Sequence, residues 1–497
     1  MVGNHALVDG NKRLGWLATA VFLDLNGIEV GRASNDDVYD LVMAVAESPN
    51  RLVSELATDL RHLVDGPQAQ PSGRRAGARQ QGRGRCAGLP RMAITGDSLT
   101  ADIYDPDGYV DSVPHAVFTE LRRTDPVHWQ DIPGQAGYWA VLKHADVMEV
   151  AKAPNLYSAS EGGVVLEDLD PESLEMMRHM LLAMDPPAHQ TFRRPLLSSF
   201  KAKVVSAMDE QIREICRTIM ATVGEQGEVE FVHQVTSPLP TQVIGRLVGI
   251  PESDWAFIHE MAERIAKGQD PDLNDGDDDG GSNGSFEMAM YAIEFAGRRR
   301  QEDPQEDLTT LLLETEFGDG PMSDIDFGSF FVQLVVAGND TTQSMLSGGL
   351  LALLQHPDQL AELRADPSLT AGAVEEVLRW ANPLHYFRRT ATEDVVLNGT
   401  EIVAGDKVAM YYTSANRDEY VFEDAQAFDI HRDPNPHLSF GIAEHFCLGV
   451  HLARLEGRIF FEELLGTFPG IELTGEPQRT RSNLNNGLKA LPVTLRR

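Results

Sequence analysis

Between Gly66 and Arg91 the chain carries six arginines and no acid, with glycine, proline and glutamine filling much of the rest. Such a stretch has almost nothing to bury against the entropy of ordering, so it is predicted to be a disordered linker. An RNA-binding role for its Arg-Gly content is the lesser reading beside a plain solvated spacer. This break divides the chain. Residues 1–65 form a short helical fragment, and whatever folds around a large core lies in residues 92–497.

The 497-residue chain is 42% hydrophobic and 24% charged, an ordinary globular balance. Its net charge of -34 argues against wholesale binding to nucleic acid or to anionic membrane surfaces. No run approaches the ~20 apolar residues of a membrane span. Asp9, Lys12 and Arg13 interrupt the N-terminus, which lacks a signal-peptide pattern, so a cytoplasmic location is expected.

From Met92 onward, helical spacing covers Pro114–Thr124, Pro187–Phe200, Lys203–Val223, Asp254–Lys267, Ser285–Arg300, Asp324–Leu354, Leu369–Trp380 and Leu452–Leu465. Strand-like pieces occur at Tyr138–Leu142, Val395–Leu397 and Lys407–Tyr412. The expected class is mainly α (α+β), with small sheets on a helical body. Gln269 to Ser285 holds Asp275, Asp277, Asp278 and Asp279 among glycines. It lacks the Gly and Glu positions of an EF-hand and reads as an acidic surface loop.

Only Cys86, Cys216 and Cys447 occur, far apart, which suggests neither a disulfide framework nor a zinc site. Cys447 stands in Ser439-Phe440-Gly441-Ile442-Ala443-Glu444-His445-Phe446-Cys447-Leu448-Gly449. A lone cysteine among small residues can bring sulfur to a metal while backbone N–H groups point at it. The positive end of the following helix favours the thiolate. Taken alone, the residue reads more readily as a buried, inert thiol.

Inside the longest helix stands Ala337-Gly338-Asn339-Asp340-Thr341-Thr342. An acid beside an alcohol in an apolar helix can relay protons away from bulk water. The alternative is a helix kink in which Thr341 bonds back to a carbonyl. Glu376-Val377-Leu378-Arg379 adds an ion pair that, isolated on a helix, contributes only a few tenths of a kcal/mol.

Phe-Gly-x-x-x-His-x-Cys-x-Gly before a helix resembles the heme-binding loop of the cytochrome P450 family, and the other motifs follow in that family's order across residues 92–497. The resemblance implies heme b with Cys447 as the iron ligand. It implies that Asp340 delivers protons and that Thr341 steadies the activated oxygen. His189, Arg193, Arg389 and His437 are implied as contacts of the heme propionates, and Glu376–Arg379 as the anchor of the segment around the cysteine. Arg194 and Arg388 are expected to be solvated neighbours. Ala443 departs from the family's usual glycine, so a shifted or strained local backbone is expected.

The implied activity is a monooxygenase using O2 on a small hydrophobic substrate: a sterol side chain, a methyl-branched lipid or a terpenoid. A heme protein that only binds a ligand has no need of the Asp340–Thr341 pair, and peroxide-driven use suits it less well. Val336, Ala337, Leu384 and His385 are candidate pocket residues. No flavin or iron–sulfur motif is present, so electrons are expected from a ferredoxin and an NAD(P)H-dependent ferredoxin reductase. Docking is expected on the cysteine side, near Arg193, Arg194 and Lys201.

The first residues carry a separate resemblance. His5-Ala6-Leu7-Val8-Asp9-Gly10-Asn11-Lys12-Arg13 is similar to the core motif of the Fic/Doc family, with Leu7 where Phe is usual. The resemblance implies His5 as a base, Asp9 as a metal ligand, and Asn11 and Arg13 as phosphate contacts, with Lys12 marking the Doc-type branch. The motif begins at residue 5, without the helices and flap that position it, so transferase activity is not expected. Residues 1–65 read as a truncated remnant, or translation starts at Met92. Under the second reading, N-terminal sequencing of the native protein is expected to return Met92 or Ala93, and recovery of Val2 would exclude it.

Overall fold

The computed structural model describes residues 102–497, apart from 225–226, 273–281 and 318–319. The expectations placed on residues 1–65 and 66–91, including the Fic/Doc-like motif, lie outside the described residues. So do Asp275 and Asp277 to Asp279.

One long helix, Asp324–Gln355, organises the helical body. It starts where Ser323 Oγ accepts from the Asp326 amide at 3.1 Å, and two acids, Asp324 and Asp326, favour the positive N-terminal end. It stops at His356, just before Pro357. Its first half buries Phe327, Phe330, Phe331 and Val335 in a core shared with the helices Trp255–Ala266 and Ser282–Arg299. Its second half buries Met345, Leu346, Leu350 and Leu353 in another core, shared with Thr370–Ala381 and Val450–Thr467. A helix that contributes to a separate apolar core at each end belongs inside a protein.

Most expected helices form within a few residues of their predicted bounds. Lys203–Val223 is an exception, dividing into Ala202–Ser206 and Asp209–Val223. Asp209 and Glu210 open the second piece, and Asp209 is tied to Arg213 and Arg458 at 2.8 and 2.7 Å. These acids favour a new helix start there. The predicted loop from Gln269 also begins as ordered structure. Asp270 is fully buried and pairs with Lys489 at 3.1 Å, while Ser282–Ser285 already belongs to the next helix.

The main sheet has strands β1 (Val127–Ile132), β2 (Gln135–Val141), β3 (Tyr157–Ser158), β4 (Tyr386–Ala391) and β5 (Lys407–Tyr411), in the order β1-β2-β5-β4-β3. β5 runs parallel to β2 and antiparallel to β4, with Val408 opposite both Trp139 and Arg389. β4 was not legible as a strand because Arg388 and Arg389 interrupt its apolar run. Alternation sends these two side chains to opposite faces, and both are buried. Arg388 is therefore not the solvated neighbour expected: it reaches the carbonyl of Val165 at 3.2 Å. Val395–Leu397 pairs with Thr400–Ile402 around Asn398-Gly399, both at positive φ, the backbone that a two-residue hairpin needs.

The Glu376–Arg379 pair holds the segment ahead of the cysteine. Both side chains are buried, with guanidinium and carboxylate joined by two bonds at 2.7 and 2.8 Å. Arg379 also donates to the carbonyls of Asn416, Ala425 and Ala427 at 2.9, 2.9 and 2.7 Å. Glu376 accepts from the Asp429 amide, Arg432 and Asn435 at 2.8, 3.2 and 3.1 Å. This is a buried, saturated network and not the isolated surface pair of the sequence estimate. Arg379→Ala removes the bidentate partner of a buried carboxylate, leaving it Arg432 alone, and is expected to cost about 3–5 kcal/mol, read as a lower urea midpoint together with reduced heme content.

Candidate active site

Cys447 lies between a short 3-10 turn, Ala443–His445, and the helix Val450–Thr467. Its amide donates to the Phe440 carbonyl at 2.8 Å, closing the loop that presents the sulfur. Burial pushes the thiol pKa up, while a Gly449 backbone hydrogen bond, Arg193 and Arg454 all favour the thiolate. As the ligand of a metal, Cys447 would be held as the thiolate. Cys216, in contrast, is buried in a hydrophobic core with its pKa raised chiefly by burial, as suits an inert thiol.

Ala443 sits at φ 55°, the left-handed region that L side chains avoid, so the strain expected there is present. Gly441 in the same loop has φ 66°.

Beside the cysteine loop, basic groups gather, and Asp185 is a nearby acid whose carboxylate is held by the Ala159 amide and the Ser160 hydroxyl at 2.8 Å each. His189 is buried in the helix Ala188–Leu196, and neither ring nitrogen has a partner. Its ring centre lies 4.4 Å from that of His445, whose Nε2 is also unpartnered. Burial, then Arg193 and Arg389, lowers the His189 pKa to about 4. Burial, then Arg389, His189 and Arg193, lowers that of His445 to about 2. Arg389 is buried on β4 and donates to the Arg388 carbonyl at 2.8 Å. Arg193 bonds to the carbonyl of Phe446, next to Cys447.

This donor set fits heme. Two unpartnered imidazoles and two desolvated guanidiniums suit a pair of buried carboxylates such as the propionates, and the sulfur lies at the same site. His437 does not join them. Its Nε2 pairs with Glu375 at 3.1 Å, and Glu375, held also by Arg454 at 2.7 Å, has its pKa lowered to about 2. That carboxylate occupies the imidazole that the sequence assigned to a propionate. His445 takes the place among the cations, and its signal was the His-x-Cys spacing of the quoted loop.

On the long helix, Ala337 is exposed and Thr341 partly so, within a span otherwise largely buried, so the helix faces open space here. Gly338 lets the helix Pro238–Val248 approach: a Cβ there would stand 3.0 Å from Ile244 Cδ1. Thr341 Oγ1 donates to the Ala337 carbonyl at 2.7 Å, the back-bond of a locally opened helix. Asp340 is 3% exposed, and neither carboxylate oxygen has a partner. Burial raises its pKa, Lys267 opposes this and Glu263 adds to it. Lys267 is itself buried and bonds Glu263 at 2.6 Å. Asn339 accepts from Thr241 at 2.8 Å and approaches His259 at 3.4 Å. Sequence spacing gave no signal for this polar side of the helix, because Thr241, His259, Glu263 and Lys267 reach it from other elements.

Comparison with known proteins agrees with this geometry. The cytochrome P450 family model matches residues 285–493. The chain is 36% identical over 398 residues to a steroid C26-monooxygenase of Mycolicibacterium smegmatis, covering 78% of this chain and 92% of that enzyme. It is 38% identical to a methyl-branched lipid omega-hydroxylase of Mycobacterium tuberculosis, covering 77% of this chain and 91% of that one. The solved structure of a Mycobacterium marinum cytochrome P450 in complex with pseudoionone superposes with a TM-score of 0.75 at 34% identity, covering 81% of this chain and all of that one.

The fold and the thiolate loop thus define a heme-thiolate oxidoreductase. The chain belongs to the cytochrome P450 family, whose members bind heme b, and it is a monooxygenase of that family. Among the described residues, no helix is long and apolar enough to cross a membrane.

Two expectations follow. Ala443→Gly relieves the left-handed backbone and is expected to raise stability by about 1 kcal/mol, measured by urea unfolding. The Asp340 pKa is raised on folding, so the native state holds that proton more tightly than the unfolded chain. Stability from this group is complete below the unfolded aspartate range and is lost as pH rises towards the folded value. Asp340→Asn is therefore expected to raise Tm relative to the parent at pH 7, with the difference shrinking at acid pH.

Proposed function

We propose that this chain hydroxylates an unactivated carbon of a hydrophobic molecule (a sterol side chain, a methyl-branched lipid or a terpenoid), with Asp340 and Thr341 as its proton-handling pair. The observation that carries this reading is the Asp340 carboxyl, buried with both oxygens unpartnered beside the Thr341 hydroxyl. Packing alone gives no reason for so costly a group, and a protein that only bound a ligand would not need it. The names of the steroid and lipid hydroxylases to which the chain is similar support the substrate class.

Heme, when bound, supplies reductive activation of O2 at a thiolate-ligated iron. Cys447 would hold the iron, and His189, Arg193, Arg389 and His445 would hold the propionates. Burial moves Asp340 towards the pH range in which it both accepts and gives a proton. Thr341 Oγ1 spends its own hydrogen on Ala337 and so keeps lone pairs to accept a bond from the reacting side. The Lys267–Glu263 pair and Asn339 continue the polar side of the helix away from the open space. This catalytic unit corresponds to residues 92–497.

Electrons come, in this proposal, from a ferredoxin and an NAD(P)H-dependent ferredoxin reductase, in a cytoplasmic setting where NAD(P)H is supplied. On the cysteine side Arg194, Lys201 and Lys203 are exposed, as are Leu197, Val204 and Phe446. A 270 Å³ cleft lined by Val205, Val374, Glu375, His451, Arg454 and Arg458 adjoins this basic and apolar face. It suits an acidic protein, although Arg193 is only partly exposed and bonds the Phe446 carbonyl.

The test is turnover reconstituted with ferredoxin, reductase and NAD(P)H, on protein whose reduced, CO-bound spectrum shows thiolate ligation. Asp340→Asn is expected to lower product formation by about 10²–10⁴-fold. Thr341→Ala is expected to divert reduced oxygen to hydrogen peroxide, lowering product per NAD(P)H. Full, coupled turnover in both variants would reject the pair. Raising ionic strength is expected to slow reduction by the ferredoxin.

A further inference from the structure

The acid at the edge of the cationic cluster is bonded unlike the cations beside it. Asp185 lies just ahead of the helix Ala188–Leu196, which carries His189 and Arg193, and its carbonyl accepts from the His189 amide at 3.0 Å. Its carboxylate reaches the other way, to residues 158–160 at the end of β3. One oxygen accepts from the Ala159 amide at 2.8 Å. The other accepts from the Ser160 hydroxyl at 2.8 Å, the Ser160 amide at 3.3 Å and the Ser158 hydroxyl. Two amides and two hydroxyls thus aim hydrogens at one carboxylate. A carboxamide in its place would set an N–H against the Ala159 or the Ser160 amide, whichever way it turned.

That end of β3 lies against β4. Ser158 pairs with Thr390, the residue after Arg389. The turn that follows packs closely on the same strand, since a Cβ on Gly162 would stand 2.7 Å from Thr390 Oγ1. Arg178 Nε holds the turn from its outer side, donating to the Ser160 carbonyl at 2.8 Å. Asp185 therefore links the helix of His189 and Arg193, through β3, to the strand of Arg389. Its charge reaches the same groups. Burial, then Arg193 and Arg389, lowers the His189 pKa to about 4, and Asp185 opposes them. Burial lowers that of Arg389, opposed by Tyr412 and then Asp185.

We infer that Asp185 is a positioning residue for the propionate site: by fastening the start of the helix to the end of β3, it sets the spacing of His189 and Arg193 from Arg389. The inference goes beyond the hydroxylase reading and rests on the assignment of these three residues to the propionates. Two separate elements supply the cations, so a pair of carboxylates finds them matched only while the elements keep one spacing. Fixing that spacing in advance removes an ordering cost that binding would otherwise carry. The carboxylate itself stays on its four donors and touches neither the cofactor nor the reacting atoms.

Release of the cofactor to excess apomyoglobin tests this, on full-length protein loaded with heme or with heme dimethyl ester, whose propionates carry no charge. The parent is expected to lose the ester at least about tenfold faster than heme, the scale of lost charge-assisted bonds. Asp185→Asn is expected to release heme about ten- to a hundredfold faster than the parent. Its release of the ester is expected to stay within about twofold of the parent's. Unchanged heme release in the variant overturns the inference. Equal acceleration for heme and ester overturns it too, because that is the mark of a structural role. If Asp185→Asn fails to fold, Ser160→Ala removes one donor and is expected to speed the release of heme alone about threefold; no selective change overturns the inference. A parent that loses heme and ester at one rate overturns the propionate assignment and this inference with it, whereas the hydroxylase reading stands or falls on turnover.

Discussion

The buried bond between Glu376 and Arg379 is the constraint on which the cysteine loop depends. Two charges taken out of water are costly unless every donor and lone pair is used, and here the surrounding chain supplies the partners. Most of those partners are backbone groups in an irregular segment, residues 416–435, that has no ladder of its own to satisfy them. The ion pair thus replaces secondary structure. It fixes a long stretch of coil whose first residue, Asn416, donates to Ser439 Oγ at 2.8 Å and so reaches the loop of Cys447.

Elsewhere the molecule does the reverse and leaves buried polar groups unsatisfied. His189, His445 and Asp340 all hold atoms without partners in places closed to water. Each is a local loss of stability that the large helical cores must offset. Their grouping gives them meaning. Cations collect where carboxylates would bind, and Asp340 sits beside an alcohol where protons are needed. A saturated network and an unsatisfied one, built from the same residue types, mark scaffold and site respectively.

Much of the site was legible in the chain because its groups are close in sequence. Asp340 and Thr341 are neighbours on one helix, Glu376 and Arg379 are one turn apart, and Cys447 lies in a short loop with a positive-φ Ala443. Helix periodicity likewise marked most of the helical body. β4 escaped notice because its two arginines hide a strand that only pairing with β5 and β3 reveals. The assignment of His437 failed for a similar reason. Proximity to the cysteine in sequence could not show that Glu375, on another helix, holds that ring.

By itself, then, the sequence determined the long helix and singled out its acid–alcohol pair and the cysteine as candidates, since these depend on local spacing and residue chemistry. Tertiary structure alone decided which basic residues converge and which are neutralised, with His445 among the cations and His437 against Glu375. It alone decided that Asp340 is sealed from water. The reason is physical: burial and pairing are properties of what surrounds a charge, and the surroundings come from distant parts of the chain.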